Sequence, residues 1–319
     1  MRSHGERELM SGIHQLVLGY AVITDVFYKS QLTKGFFSGG YTSSNVATAD
    51  RTTYSTETTA AVSGANLSQA RRVLAAAGNA DKGFFSGGIT SSNVATADRT
   101  TYSTETTAAV SGANLSQARY GLAAAGNVDK AFFSGGYAGS DVATADRTTY
   151  STETTSAVSG ANLSQARRNL AAAGNVDKAF FSGGNTTSLS FIATADRTTY
   201  STETTAAVSG ANLSQARRQL TAAGNADKGF FSGGITSSNV ATADRTTYST
   251  ETTAAVSGAN LSQARRNLAA AGNIDKGFFS GGITSSNVAT ADRTTYSTET
   301  TAAVSGANLS QARRILAAA

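Results

Sequence analysis

The amino-acid sequence predicts an all-β protein in which six four-stranded blades close into a ring, a six-bladed β-propeller. The first observation behind this prediction is a unit of 48 residues, once 50, that occurs six times. The second is that each unit offers four short strand-like segments divided by Gly and Asn, as expected for propeller blades. The third is composition: 40% of the residues are apolar and only 15% are charged, which suits short strands joined by tight turns.

The six units are nearly identical. They begin at Lys34, Lys82, Lys130, Lys178, Lys228 and Lys276. The stretch Ala47–Arg71 recurs in every unit with a single substitution, Ser156 in the third. The fourth unit is two residues longer, because Asn185–Ile192 replaces a shorter loop. We therefore assign residues 34–319 to the propeller, and residues 1–33, which do not match the repeat, to an appended attachment segment.

Four strands are predicted in each unit. The first strand covers Arg72–Ala77, and the hairpin turn Gly78–Asp81 joins it to the second strand of the next unit. The second strand is represented by Phe36–Ser38 and the third by Val46–Tyr54, which alternates and is rich in β-branched residues. The fourth covers Thr59–Ser63. Together they make one four-stranded antiparallel blade.

Two other interpretations of the repeat stay open. Leu67–Ala77 is rich in helix formers and Ser68 could cap a helix there, although Gly78 ends it after a short length. A β-solenoid also repeats short strands, but a solenoid coil needs neither four strands nor a paired Gly in each turn.

The two ends of the array predict how the ring closes. The first unit begins at a second strand, and the chain ends on a first-strand segment, Arg314–Ala319. Because no second strand follows this segment, we expect it to pair with Phe36–Gly39 and complete the first blade. Closure of this kind removes the open sheet edges that would otherwise template aggregation.

The N-terminal segment shows no clear signal peptide. Val17–Ile23 is weakly apolar, but Asp25 follows it and no suitably placed small-residue cleavage site is present. No run of 18 apolar residues occurs in the chain, so no membrane span is predicted.

The unit resembles the kelch repeat. That family has a hydrophobic strand ending in Gly-Gly, a Tyr near the end of the third strand and an Arg ahead of the next unit, and here these are Phe36–Gly40, Tyr54 and Arg71. The same order recurs six times over residues 34–319. One departure is Ala61, where the family usually has Trp, and it predicts a smaller, flatter core between blades. The resemblance implies a propeller whose Gly-Gly face commonly binds ligands, often through Arg.

The residue types argue against catalysis. Cys and Trp are absent from the chain, and its two His residues, His4 and His14, lie outside the array. A metal site built from His and Cys is therefore not expected, nor is the copper-oxidase chemistry of some kelch proteins. We predict a protein with no enzyme activity and no cofactor; an enzyme is the alternative.

The repeated carboxylates are expected to serve structure. Asp50, Glu57, Asp81 and their copies are predicted to cap turns and to form ion pairs, for instance between Asp50 and Arg51. A Ca²⁺ site at Asn79 and Asp81 is the alternative, although the ligand density is below that of typical calcium loops.

The copies differ mainly in two zones, which a four-stranded meander places on the same face. One zone is the connection after Gly-Gly, which begins with Tyr41, Ile89, Tyr137, Asn185, Ile235 or Ile283. The other is the start of the first strand, where the copies read Arg72, Tyr120, Arg168, Arg218, Arg266 and Arg314. Variable loops on a rigid scaffold are where recognition usually resides.

From these zones we predict a ligand-binding ring near the central channel. Its predicted members are Arg72, Tyr120, Arg168, Arg218, Arg266 and Arg314, together with Tyr41, Tyr137 and Asn185. Arg forks suit carboxylate and phosphate groups, and Tyr suits sugar rings, so the predicted partner is a cell-surface glycan or an anionic polymer. The alternative is that Arg71 and its copies brace the loops, while Arg72 and its copies are simply solvated.

The predicted function is that of a non-enzymatic binding or adhesion protein. The net charge of +5 is spread evenly over the units, so no specific nucleic-acid partner is expected. The repeats are similar to kelch-like arrays of bacterial and tailed-phage proteins, which implies a tail-fibre or virion-surface role, a virion or cell-surface location, and assembly through residues 1–33. The alternative is a purely structural module with no ligand of its own.

Overall fold

The computed structural model describes residues 32–188 and 190–319, and it confirms the predicted fold class. Six four-stranded antiparallel sheets stand in a ring, with the first strand of each at the central channel and the fourth at the outside. The predicted attachment segment, residues 1–33, lies outside the described residues apart from its last two.

Strands are numbered in chain order, and each blade contributes four of them. The innermost strands are β4 (Ala75–Gly78), β8 (Ala123–Gly126), β12 (Ala171–Gly174), β16 (Thr221–Gly224), β20 (Ala269–Gly272) and β24 (Ala317–Ala318). The second strands are β1 (Lys34–Ser38), β5 (Lys82–Ser86), β9 (Lys130–Ser134), β13 (Lys178–Ser182), β17 (Lys228–Ser232) and β21 (Lys276–Ser280).

The two outer positions of each blade are equally regular. The third strands are β2 (Ala49–Thr53), β6 (Ala97–Thr101), β10 (Ala145–Thr149), β14 (Ala195–Thr199), β18 (Ala243–Thr247) and β22 (Ala291–Thr295). The outermost strands are β3 (Thr58–Ala61), β7 (Thr106–Ala109), β11 (Thr154–Ala157), β15 (Thr204–Ala207), β19 (Thr252–Ala255) and β23 (Thr300–Ala303). A single 3₁₀ turn follows each outermost strand, the first at Ser63–Ala65.

The observed strands differ from the predicted ones in their bounds. The second strand is two residues longer, since it begins at Lys34, and the fourth runs from Thr58 to Ala61 instead of from Thr59 to Ser63. The first strand begins at Ala75 rather than Arg72, because the backbone of Val73 adopts a left-handed conformation, with φ of 58°, and interrupts the ladder. The third strand begins at Ala49, since the residues before it hold the Gly-Gly loop instead. The helical alternative for Leu67–Ala77 is wrong: this segment is irregular and then enters β4.

The C-terminal strand closes the ring as predicted. Ala317 and Ala318 of β24 pair with Ser38 and Phe37 of β1. The ladder continues one residue further, where the amide N–H of Phe36 donates to the carbonyl of Ala319 at 2.8 Å. The first blade is therefore assembled from both ends of the array, in the order β24-β1-β2-β3.

The core lies between the blades and is built from aromatic stacks. Phe84 of one blade stacks on Tyr150 of the next, with ring centroids 5.7 Å apart and an interplanar angle of 7°. Leu and Ala side chains complete each cluster. Ala61, expected to thin this core, lies exposed on the outermost strand β3, so its small size does not set the thickness of the inter-blade core.

A buried ion pair crosses every junction between blades. The guanidinium of Arg71 contacts the carboxylate of Asp98 in the next blade at 2.9 Å, and both side chains are at most 1% exposed. Arg71 also donates to the carbonyl of Phe85 at 2.8 Å. The expected pairing of Asp50 with Arg51 is wrong. Asp50 instead pairs with Arg313, at the junction where the last unit meets the first. Residues adjacent on a strand point to opposite faces of the sheet, so Asp50 and Arg51 cannot face each other.

A second set of ion pairs lies at the third-to-fourth turns. Glu105 accepts hydrogen bonds from Lys34 at 2.7 Å and from Arg51 at 2.8 Å, both in the preceding blade. Burial alone would raise the pKa of Glu105, but the hydrogen bonds and charges of Lys34 and Arg51 outweigh it and lower that pKa. The equivalent carboxylates are Glu57, Glu153, Glu203, Glu251 and Glu299.

Within the described part of the chain, no helix has the length and apolar character needed to cross a membrane.

Candidate binding face

Each blade presents its two variable zones on one side of the ring, which we name the upper face. The amide of Arg72 donates to the carbonyl of Ile89 at 3.1 Å, and the amide of Ile89 donates back to Arg72 at 2.8 Å. Equivalent bridges join the two zones in the other five blades. The first-to-second and third-to-fourth turns lie on the opposite side, the lower face.

The Gly-Gly doublet brings these zones together. Gly39 has φ of 70°, and a Cβ there would lie 2.7 Å from the carbonyl oxygen of Arg71. Gly40 has φ of 112° and donates its amide to that same carbonyl at 2.9 Å. Only glycine combines this left-handed backbone with so close an approach, which explains why the doublet recurs in all six units.

The predicted ring of first-strand residues exists on the upper face, and its side chains reach toward the preceding blade. We name this set the Arg ring: Arg72, Tyr120, Arg168, Arg218, Arg266 and Arg314. The residues that face it from the loops we name the loop anchors: Asn45, Asn93, Asp141, Phe191, Asn239 and Asn287. All Arg ring members are partly exposed.

Asn anchors hold two of the ring arginines. The guanidinium of Arg72 donates to Oδ1 of Asn45 at 2.8 Å, and that of Arg266 donates to Oδ1 of Asn239 at 2.6 Å. The amide group of Asn45 in turn donates to the carbonyl of Thr90 in the next loop at 2.9 Å. An Asn anchor therefore binds an Arg and links neighbouring loops at once.

Tyr41 lies between two arginines. The guanidinium carbon of Arg72 is 5.0 Å from the centre of the Tyr41 aromatic ring, and that of Arg314 is 5.2 Å from the same point. Both distances are within the range of cation–π attraction. The structure therefore places Tyr41 beside two members of the Arg ring.

Tyr137 forms a second aromatic centre at the unit where the ring has Tyr instead of Arg. Tyr120 packs against Tyr137 with centroids 5.3 Å apart, and Arg168 lies 4.6 Å from the Tyr137 ring centre on the other side. Arg168 also forms an ion pair with Asp141 at 2.9 Å. This arginine is thus the neutralised member of the ring.

Asn185 differs from the other predicted site residues because it is fully buried. Its Oδ1 accepts a hydrogen bond from the side-chain amide of Asn169 at 2.8 Å, and its own amide donates to the carbonyl of Thr186 at 3.2 Å. Asn185 therefore shapes the long loop from below, and a ligand on the upper face would meet the residues after it.

Arg218 is the ring arginine whose loop anchor is apolar. Its guanidinium lies 4.8 Å from the ring centre of Phe191, the anchor supplied by the long loop. Among the described residues its buried Nε has no hydrogen-bond partner. Desolvation first, and then the charges of Arg168 and Arg266, lower the pKa of Arg218. Arg168 and Arg266 therefore each lie close enough to Arg218 to oppose its charge.

A closed circle of hydrogen bonds lies just inside the Arg ring, and we name its residues the collar. The collar consists of Val73, Gly121, Asn169, Gln219, Asn267 and Ile315, all with φ between 56° and 69°. The amide of each donates to the carbonyl of its counterpart in the preceding blade; Val73 completes the circle by donating to Ile315 at 2.8 Å. The collar fixes the distance between adjacent Arg ring positions.

The central channel is narrow and lined mostly by Ala. Its three sections, from the collar to the lower mouth, enclose cavities of about 80, 130 and 160 Å³. Ligand pockets for drug-sized molecules usually measure about 300–1,000 Å³. Each section taken alone is smaller than such a pocket.

The turns of the lower face are held by their own side chains. Oδ1 of Asn79 accepts hydrogen bonds from the backbone amides of Asp81 and Lys82 at 3.0 and 3.1 Å. The side chain that caps this turn is therefore Asn79, a common role of Asn, whereas the prediction gave the role to Asp81. No group of three or more His, Cys, Asp or Glu side chains is suitably placed to hold a metal ion in residues 32–188 and 190–319.

No protein-family model matches the chain, and no curated protein matches it significantly. The structure therefore shows a six-bladed propeller of four-stranded blades, and the kelch resemblance rests on the repeat residues alone.

Sequence reasoning missed the loop anchors. Asn45 and its copies were not singled out because Asn is common in turns, where it needs no further explanation. The signal was nonetheless present, since the anchor changes to Asp141 and Phe191 in the two units whose loops deviate most. The collar was missed because its residues share no side-chain type.

Proposed function

We propose that this propeller is a non-enzymatic binding module whose upper face recognises an acidic glycan or another anionic polymer. The observation that carries the proposal is that unpaired positive charges lie only in the Arg ring, among the described residues. Every Lys and Arg of the described residues forms an ion pair with a described carboxylate, except four members of the Arg ring. These four are Arg72, Arg218, Arg266 and Arg314.

Aromatic rings beside members of the Arg ring support a carbohydrate ligand. Tyr41 and Tyr137 lie next to ring guanidiniums, and an aromatic face offers an apolar surface with a polar hydroxyl at its edge. Arg binds carboxylate, sulfate and phosphate groups through two parallel hydrogen bonds. An acidic oligosaccharide laid across the face would use both kinds of group.

The course of the chain is compatible with an exposed upper face. Leu32, the first described residue, lies at the lower mouth of the channel beside Asn79 and Lys34. The first described residue therefore lies on the side opposite the Arg ring. With the resemblance to kelch-like arrays of phage proteins, this extends the proposal to a virion-surface or tail-fibre protein that is attached through its N-terminal segment and binds a cell-surface receptor.

The proposal is tested by removing the whole ring charge. A variant with Ala at positions 72, 168, 218, 266 and 314 is screened beside the wild type on an array of neutral, sialylated and sulfated glycans. We expect binding to acidic glycans that weakens as salt rises, since surface charge is screened, and that is lost in the variant. Binding that survives all five changes would overturn the proposal. Matching far-UV circular dichroism spectra provide the control for folding.

A purely structural role is the second candidate, and the Asn anchors favour it. Arg72 and Arg266 already donate to anchors that link neighbouring loops, so the ring also braces the upper face. If bracing is its whole purpose, the five-Ala variant will melt at a markedly lower temperature and the wild type will bind no glycan. A stable variant that has lost binding supports the recognition role instead.

A further inference from the structure

The six units of the ring are not equivalent on the upper face, and the fourth unit departs furthest. Its loop is longer by two residues and places Phe191 where the four other loops that face a ring arginine place an amide or a carboxylate. Among these, Arg314 faces Asn287 and packs on Tyr41. Arg72, Arg168 and Arg266 each donate to such an anchor. Arg218 instead has the apolar face of Phe191 beneath it.

Three features make this the place where an anion would be most strongly attracted. Like Arg72, Arg266 and Arg314, Arg218 has no ion pair with a described carboxylate. Its Nε is the only one among the ring arginines that is buried without a partner in the part of the chain that the structure describes. Arg168 and Arg266 flank it closely enough to oppose its charge. A bound oxyanion would relieve this repulsion and satisfy the remaining donors, because charge-assisted hydrogen bonds to Arg are strong.

The long loop also supplies hydroxyl groups. Thr187 and Ser190 are exposed, and the hydroxyl of Thr187 already donates to Asp141 at 3.1 Å. This contact fixes the loop against the neighbouring unit, where Asp141 also neutralises Arg168. The charge attractive to an anion is therefore concentrated on the side of Arg218 that faces Arg266.

We propose that the upper face holds one principal oxyanion subsite, at Arg218 over Phe191 and beside Arg266, which binds a single carboxylate or sulfate group of an acidic glycan. The inference rests on the proposed function and names the part of the face that dominates it. One ligand then binds per propeller, and the other ring arginines contribute weaker, additive contacts. The two-residue insertion is what converts a braced arginine into a binding one.

Isothermal titration with three probes tests the subsite: a sialylated trisaccharide, a sulfated tetrasaccharide and inorganic sulfate. Three single variants at equivalent positions of the Arg ring are compared with the wild type: Arg218→Ala, Arg266→Ala and Arg72→Ala. We expect a stoichiometry of one, a loss of affinity of tenfold or more for Arg218→Ala, a smaller loss for Arg266→Ala and at most about threefold for Arg72→Ala. Preference for the sialylated or the sulfated probe identifies the oxyanion. Response to inorganic sulfate alone reveals an adventitious ion only and overturns the subsite.

A loop exchange provides the second, independent test. Replacing Asn185–Ile192 with the sequence of Ile235–Val240 restores an Asn anchor beneath Arg218 while keeping every ring arginine. We expect this exchange to weaken binding about as much as Arg218→Ala. A loop-exchange variant that binds the acidic oligosaccharides as tightly as the wild type overturns the subsite.

The outcomes separate the two proposals. Equal losses for Arg72, Arg218 and Arg266, or several ligands per propeller, overturn the single subsite and leave the binding face standing. Wild-type protein that binds none of the probes overturns both. Thermal melting of each variant shows whether a loss of binding comes from a loss of folding.

Discussion

Arg71 and Arg72 are neighbours in the sequence, yet the propeller uses them in opposite ways. Arg71 is fully buried between two blades and paired with Asp98, and the pair is repeated at all six junctions without variation. Arg72 lies half-exposed on the upper face, where its copies include one Tyr and meet anchors of three kinds. The buried Arg71 position therefore holds the blades together, whereas the exposed Arg72 position tolerates different side chains.

Burial explains why one position is constant and the other is not. Burial lowers the pKa of Arg71 and the charge of Asp98 opposes this, so each member of the pair depends on the other. A buried charge that loses its partner is strongly destabilising, whereas a partly solvated one is not. Tyr120 therefore replaces an arginine of the upper face without disturbing a blade junction.

The largest expected effect comes from breaking one buried pair. Arg71→Ala leaves the carboxylate of Asp98 buried and uncompensated, and we expect it to lower the free energy of unfolding by about 3–5 kcal/mol. Arg72→Ala, the matched control one residue away, should cost less than about 1 kcal/mol. Urea denaturation followed by circular dichroism measures both. Similar losses at the two positions would contradict the comparison.

The same pair can be removed as a unit to identify the source of the loss. Replacing Arg71 with Met and Asp98 with Leu deletes both charges while keeping apolar volume. We expect the double variant to recover most of the stability lost in Arg71→Ala, since the cost lies mainly in the unpaired charge. A double variant no more stable than the single one would show that packing around Arg71 matters more.

A smaller effect is expected at the collar, which directly follows the Arg ring. Val73 holds φ of 58°, a left-handed conformation that is unfavourable for a β-branched side chain. Val73→Asn, which copies the residue at Asn267, should raise the free energy of unfolding by about 1 kcal/mol. The reverse change, Asn267→Val, should lower it by a similar amount. If the two changes shift stability in the same direction, backbone strain is not the cause.

The smallest effect per residue is expected from the partly exposed Glu triads. The pKa of Glu105 and of its five copies is lowered in the folded protein, so the unfolded chain binds protons more readily. Each Glu therefore stabilises the fold above its ordinary pKa of about 4.3, by about 0.2–1 kcal/mol, and loses this contribution as pH falls through the lowered value.

Urea midpoints measured from pH 7 down to pH 3 test the triads. A variant with Gln at positions 105 and 153 keeps the shape of two of the six triads and cannot titrate there. We expect it to lose part of the pH dependence of the wild type. Identical pH profiles would show that the acid sensitivity comes from other groups.

Much of the fold could be predicted because the repeat is a local signal. Four segments per unit, the Gly-Gly doublet and the incomplete first unit were enough to predict the blades, their number and the closure of the ring through Arg314–Ala319. The start of the first strand was predicted wrongly, because the left-handed backbone of Val73, which shortens that strand, is tied by a hydrogen bond to another blade. Such contacts leave no pattern within the unit.

The candidate site divides in the same way. The sequence alone determined which positions vary between copies and that a meander places them on one face. Only the tertiary structure decided that Asp50 pairs with Arg313, that Asn185 is buried and that Arg218 lies over Phe191. The physical reason is that contacts within one repeat are enough to specify a blade. Whether a charged side chain finds an opposite charge depends instead on the neighbouring blade, and that blade is in place only once the ring has closed.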